Sequence, residues 1–277
     1  MESIRKLLEK NPQLLRCKGV DADKRQRKER YGQFIKDTYN KLEDIVRQYR
    51  SWVLRIPGWR LESGERVFCF GKSVAKDYDL NLREVERLFN EILPRRLRGA
   101  LLGFFISGVY DKVIQRDDIL HLNLSRYSGG VSGLGYRHTR GHIEIVGSRA
   151  YWLGVKMRSG EILFRGDVGS HIGTFMAGGR LTIDGDAGNW IGYRMSGGEI
   201  RVKGNVADVI GKKMTAGEII IEGDAGHWVA DDMRGGVIRI QGVYGSIDEE
   251  RLGGEVVQWQ KHGRIANPQR SGTHCSE

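Results

Sequence analysis

Cysteine is nearly missing from this 277-residue sequence, and the three present, Cys17, Cys69 and Cys275, are widely scattered. They form neither a disulfide framework nor a zinc or iron–sulfur spacing, which points to a reduced, cytoplasmic setting. Long apolar runs are missing too, so no transmembrane helix is expected. The most apolar stretch, Gly99 to Val109, is short and lies between Arg98 and Asp111. The first residues, MESIRKLLEKNPQ, lack the apolar centre of a signal peptide. Glycine is scarce early, with only 8 of 39 before residue 128. Acid is scarce there as well: residues 1–100 hold 24 Lys and Arg against 15 Asp and Glu, and the remainder holds 21 against 20. The formal charge of +10 therefore sits almost wholly at the front. These asymmetries divide the chain into a basic, mostly helical α+β part (1–127), a glycine-rich part (128–254) and a tail (255–277).

What the second part has is a repeat. Gly141, Gly160, Gly179, Gly198, Gly217 and Gly236 stand 19 residues apart, and six residues after each comes another glycine. Between them lies an alternating strand pattern with inner positions Ile143/Ile145, Ile162/Phe164, Leu181/Ile183, Ile200/Val202, Ile219/Ile221 and Ile238/Ile240. Apart from Met1, every methionine falls in one column, Met157, Met176, Met195, Met214 and Met233, which Leu252 continues. A period this short, with glycine at the corners and period-two strands, predicts a parallel β-helix of six coils, a mainly β solenoid with methionine as axial filler. The last outward strand positions, Arg165, Asp184, Lys203 and Glu222, alternate in sign and predict a solvated charge ladder between coils. A further column reads Trp152, His171, Trp190, Val209, Trp228 and Ile247, followed at the next position by Leu153, Ile172, Ile191, Ile210 and Val229. If the Leu/Ile column is inside, the tryptophans form an exposed ridge suited to docking a partner; otherwise both columns fill an irregular corner.

The run GGEI-x-V-x-G…G…M-x-GG, as in Gly197–Gly204 and Met233–Gly236, resembles a known glycine-rich repeat called GXGXG. That repeat occurs in the C-terminal domain of the large chain of glutamate synthase and in one subunit of formylmethanofuran dehydrogenase. The resemblance covers about residues 129–254. It implies a right-handed β-helix that packs against catalytic parts, carries no chemistry or cofactor itself, and joins other subunits of a redox enzyme. The processed N-terminal cysteine and iron–sulfur ligands of glutamate synthase have no counterpart here, so any match is to a detached repeat subunit. Ala230 and Glu249 replace the glycine found at 154, 173, 192 and 211, which reads as a fading C-terminal end.

In the front part, 3.6-residue spacing predicts a helix over Tyr31–Val53, with shorter helices over Ile4–Leu15 and Leu82–Leu93, the latter opened by an Asn81/Glu84 capping box. Arg66–Phe70 reads as a strand, Leu101–Ile106 suits either helix or buried strand, and Ile119–Leu124 alternates. This region is expected to cap the open end of the solenoid. CFGKS at 69–73 is no phosphate loop, because Arg66 stands where glycine is required. His138 and His142 lack a third metal ligand at a usable spacing, and His171 and His227 fall in different columns. The basic runs Asp23–Arg30 and Arg95-Arg96-Leu97-Arg98 suit phosphates or an anionic partner. Two functions follow. One is a non-catalytic scaffold subunit that docks or self-associates through Trp152, Trp190, Trp228, Arg95, Arg96 and Arg98. The other is a free-standing binding protein whose basic front holds nucleic acid or another anion.

Overall fold

The computed structural model describes residues 21–53, 61–93, 101–127, 129–248 and 251–259. The expected helix Ile4–Leu15, the candidate residues Arg95, Arg96 and Arg98, and the tail beyond Trp259 lie outside them. Two compact units are present, Met1–Ile45 and Val46–Glu277.

Helix α1 (Asp21–Val53) contains the expected Tyr31–Val53 helix and extends it through the basic run. In the first unit its turns are tied by i,i+4 hydrogen bonds from Gln33 to Asp37 and from Tyr39 to Glu43, each 2.8 Å. The second unit opens on helices. Arg66–Phe70, expected as a strand, belongs to α2 (Leu61–Asp77). The β-branched and aromatic residues of that stretch mislead. The buried set Ser63, Gly64, Val67, Phe68, Gly71, Val74 and Ala75 recurs every three to four residues, which is helical spacing. The Asn81/Glu84 capping box forms and starts α3 (Leu82–Arg87), which runs into a π-helical turn at Leu88–Ile92. Leu101–Ile106 resolves as helix: α4 (Leu102–Val113) has every residue from Leu102 to Tyr110 buried. An all-round apolar helix must be enclosed, and here α2 encloses it through Gly71 and Gly108. A Cβ on Gly108 would lie 2.0 Å from the Phe68 carbonyl oxygen.

The solenoid follows as one parallel eight-stranded sheet, in the order β1 (Ile119–Asn123), β3 (His142–Val146), β5 (Glu161–Arg165), β6 (Ala177–Asp184), β7 (Ser196–Val202), β8 (Ala216–Ile221), β9 (Arg234–Ile240) and β10 (Gly253–Gln258). A short second sheet pairs β2 (Val131–Ser132) with β4 (Ala150–Tyr151). The structure is thus the expected parallel β-solenoid with 19-residue coils, as the register Ile162↔Leu181 and Leu181↔Ile200 shows. Ile119–Leu124 adds a strand ahead of the glycine register, which makes about seven turns; β1 pairs with β3 at an offset of 23 residues, Ile119↔His142. The helices cover that first edge. Asn90, on the π-helical turn, donates to His121 O and accepts from Asn123 N, both at 2.8 Å, and Glu86 accepts from His121 N at 2.8 Å. Side-chain amide and carboxylate groups thereby occupy backbone positions that an edge strand would leave unpaired.

Met157, Met176, Met195, Met214 and Met233 are all fully buried along the axis. Their regularity is tied to the repeat glycines. A Cβ on Gly217 would stand 2.7 Å from Met195 Cε, and one on Gly236 2.6 Å from Met214 Cε. The methionine methyl fills the space the glycine leaves open, so each column requires the other. Leu252 does not continue the column: it is 71% exposed. The reason is a coil one residue short. Ala225 pairs with Tyr244, 19 residues on, but Val229 pairs with Ile247, 18 on. Ile247 therefore moves from the tryptophan column to the inward Leu/Ile column, and Ser246 takes its place.

Two acceptor ladders stitch successive coils. Oδ1 of Asp167, Asp186, Asn205 and Asp224 accepts from the backbone N–H of residues Asp186, Asn205, Asp224 and Val243 in the following coil, at 2.7–2.9 Å. Ser170, Asn189 and Asp208 do the same for Asn189, Asp208 and His227. The expected charge ladder forms only between Asp184 and Lys203, at 3.1 Å. Arg165 turns instead to Glu144 and Glu222 to Arg201. The Asp184–Lys203 pair is exposed on both sides and adds little stability.

Ala230 keeps the left-handed conformation of the glycines it replaces, with φ +66 against +65 at Gly192 and +67 at Gly211. A Cβ on Gly192 or Gly211 would lie 2.5 Å from Cδ1 of Ile219 or Ile238. The equivalent residue after Ala230, allowing for the short coil, is Val256, which has no Cδ1. Space is therefore found but backbone strain remains, and Ala230→Gly is expected to stabilise the chain by about 1 kcal/mol, read as a raised melting temperature.

Candidate functional site

The first five glycine-led coils turn this corner with left-handed residues at alternate positions: Trp190 at φ +65, Gly192 at +65 and Arg194 at +53 in the third of them. The alternation sends Ile191 and Met195 into the core, both fully buried, and leaves positions 190 and 194 outside. Leu153, Ile172, Ile191, Ile210 and Val229 are all fully buried, while the tryptophan column is open only in part: Trp228 is exposed, Trp152, His171 and Trp190 are half-buried, and Val209 is buried. A non-glycine residue is costly in this conformation, at roughly 1–2 kcal/mol. The solenoid nevertheless repeats it in this column at Trp152, His171, Trp190, Val209 and Trp228.

The ridge is a stack for three coils. The His171 ring lies 4.1 Å from Trp152 and 5.7 Å from Trp190, each at 16°. Stacking leaves Trp152 and Trp190 half-buried. Val209 is buried and interrupts the stack, and Trp228 beyond it is 58% exposed. His171 is held below the usual histidine range by burial. Beside the ridge runs a second strip. Tyr193 meets Trp190 edge-on at 5.4 Å and Phe175 at 5.7 Å, and the Arg194 guanidinium rests 5.5 Å from the Tyr193 ring. Lys212 reaches over Trp190 at 5.9 Å while pairing with Asp231 at 2.5 Å. Below them an open cleft of about 440 Å³ is lined by Arg194, Lys213, Thr215, Asp232 and Arg234.

The candidate sites weighed from sequence separate cleanly. Trp152, Trp190 and Trp228 lie on one column of the strip. His138 and His142 do not converge: His138 is buried and hydrogen-bonds Gly141 O at 3.1 Å, whereas His142 pairs with Glu161 at 3.1 Å. Among the described residues no group of three or more His, Cys, Asp or Glu is placed to hold a metal ion. Cys69 and Lys72 of the CFGKS stretch sit in α2, with Lys72 paired to Asp111 at 2.7 Å. The basic cleft escaped sequence reasoning. Its signal was present as a column, Arg137, Lys156, Phe175, Arg194, Lys213 and Asp232, at the 19-residue period.

Burial pulls His138 down to about 4 from an ordinary value of 6.5. Between those values the unfolded chain binds a proton that the folded chain excludes. Stability is therefore complete above about pH 6.5 and falls as the pH drops toward 4. Melting temperature is expected to decline across that window. His138→Gln, which keeps a donor for Gly141 O, is expected to flatten the decline.

Fold and strip together define a parallel β-solenoid with an aromatic and basic corner surface. No family model matches the chain, and no curated protein matches it. Among the described residues no helix is long and apolar enough to cross a membrane.

Proposed function

We propose that this chain is a non-catalytic scaffold subunit whose solenoid docks a partner protein along the Trp190–Trp228 corner strip. The observation that carries the reading is the exposure of Trp228, 58% of a large aromatic surface, in line with a basic cleft and a half-buried aromatic stack. Exposed tryptophan beside arginine is the composition of interface hot spots. Rigidity supports the same reading. Successive coils are joined by backbone and Asx ladders, so the strip is preorganised and loses little entropy on binding. On the GXGXG resemblance, the assembly is a multi-subunit redox enzyme of glutamate synthase or formylmethanofuran dehydrogenase type, and its cofactors reside in the partners.

The test is affinity purification from the native cell at moderate salt, followed by mass spectrometry and a visible spectrum. Stoichiometric partners that are lost from a Trp190→Ala/Trp228→Ala variant are the expected result. Flavin or iron–sulfur absorption in the same material supports the redox assembly, and a colourless one argues against it. Partners retained by the variant, or no partner at all, contradict docking through the strip.

A further inference from the structure

The solenoid contains its own example of what the basic column receives. Gly135-Tyr136-Arg137 and Gly192-Tyr193-Arg194 are the same tripeptide three coils apart, and each is followed one coil later by a lysine, Lys156 and Lys213. At the first set the occupant is visible. Glu65 of α2 lies across both coils, with one carboxylate oxygen 2.5 Å from Arg137 Nη1 and the other 3.6 Å from Lys156 Nζ. The Tyr136 hydroxyl donates to the same carboxylate, and both cations lie within 6.0 Å of the Tyr136 ring centre. A helix thereby docks on the solenoid corner through one glutamate held by a Tyr–Arg–Lys triad.

The second set repeats the parts without that glutamate. Arg194 sits on the Tyr193 ring as Arg137 sits on Tyr136. Among the described residues no carboxylate lies within ion-pair distance of Arg194 or Arg234. Lys213 has only Asp232, at 3.7 Å, and both side chains are substantially exposed, at 40% and 54%. Such a pair is weak and readily exchanged. With Arg234 the cleft carries three cations against one carboxylate.

We infer that the Arg194–Lys213 cleft, with Tyr193 beside it, receives a glutamate or aspartate carried on a helix of a partner protein, in the manner in which Glu65 is received by Tyr136–Arg137–Lys156. The inference rests on the scaffold reading and adds the chemistry of the docked segment. The carboxylate spans two coils, accepts from the Tyr193 hydroxyl and from Arg194, and takes Lys213 from Asp232. Paired charge contacts of this kind set register and association rate. The alternating aromatic rings of Phe175, Tyr193 and Trp190 flank the site and supply the apolar contact a helix face needs.

The test uses the full chain and a fluorescently labelled, glutamate-bearing helical peptide, with its glutamine counterpart and a labelled single-stranded DNA as comparisons. Anisotropy at low salt is expected to show binding of the glutamate peptide, weaker binding of the other two probes, and a loss of about tenfold or more in R194E/K213E. Tyr193→Phe should weaken binding a few-fold. The milder pair R194Q/K213Q, which keeps side-chain length, serves if charge reversal lowers the melting temperature. Absent peptide binding, peptide binding indifferent to these substitutions, or DNA bound as tightly as peptide through the same residues overturns the inference. Co-purification separates the two levels. Partners that stay with R194E/K213E but leave Trp190→Ala/Trp228→Ala keep the scaffold reading and remove the carboxylate site; a wild-type chain without partners removes the scaffold reading, while the peptide assay still decides the site.

Discussion

Alanine in place of Gly108 is expected to destabilise the second unit by about 3 kcal/mol or more, measured by thermal or urea unfolding. The added Cβ would lie 2.0 Å from the Phe68 carbonyl oxygen and 2.9 Å from its carbon, both backbone atoms. No rotamer change relieves that contact. Helices α2 and α4 must part, and with them the rings of Phe70 and Phe105, whose centres lie 5.9 Å apart. Gly32 is the control. It is exposed in α1 with no atom within 4 Å of its would-be Cβ. Alanine there should raise helix stability by roughly 0.5–1 kcal/mol. Equal effects at both sites would mean that the two helices do not cross at backbone contact.

The second large effect is expected on the axis. Met195→Ala removes a fully buried side chain whose methyl covers Gly217. Rigid coils on either side prevent collapse, so a loss of about 2–5 kcal/mol is expected. Met195→Leu, close in volume, should cost less than about 1.5 kcal/mol. A small effect from both substitutions would show that the column is loosely packed, and the pairing of methionine with glycine would lose its basis.

How much of the molecule is legible in its sequence depends on whether each feature repeats. The coils are readable because one physical requirement recurs at a fixed period: inward Ile200 and Val202, a left-handed Gly192, and a methionine over a glycine. The Asx ladders and the basic column are written in the same period but without apolar contrast, so hydrophobic patterning passes over them. The short final coil is invisible because losing one residue between Ala225 and Val229 or their partners leaves composition unchanged; only the pairing of Val229 with Ile247 exposes it. In the helical part nothing repeats. Arg66–Phe70 has strand-forming residues, and it is the enclosing of α4 by α2 that makes it helical. Tertiary packing overrides local preference there. Glu65 is equally hidden, since its meeting with Arg137 and Lys156 spans 72 and 91 residues of sequence.

Docking through the solenoid corner is tested most directly by hydroxyl-radical footprinting of the chain alone and in the assembly purified from its native cell. Trp190, Tyr193 and Trp228 are expected to lose reactivity in the assembly, while Tyr39 on α1, 44% exposed in the isolated chain, stays reactive. The reverse pattern, a protected Tyr39 with Trp228 as reactive as before, would contradict docking through the corner and move the contact to the basic helical region.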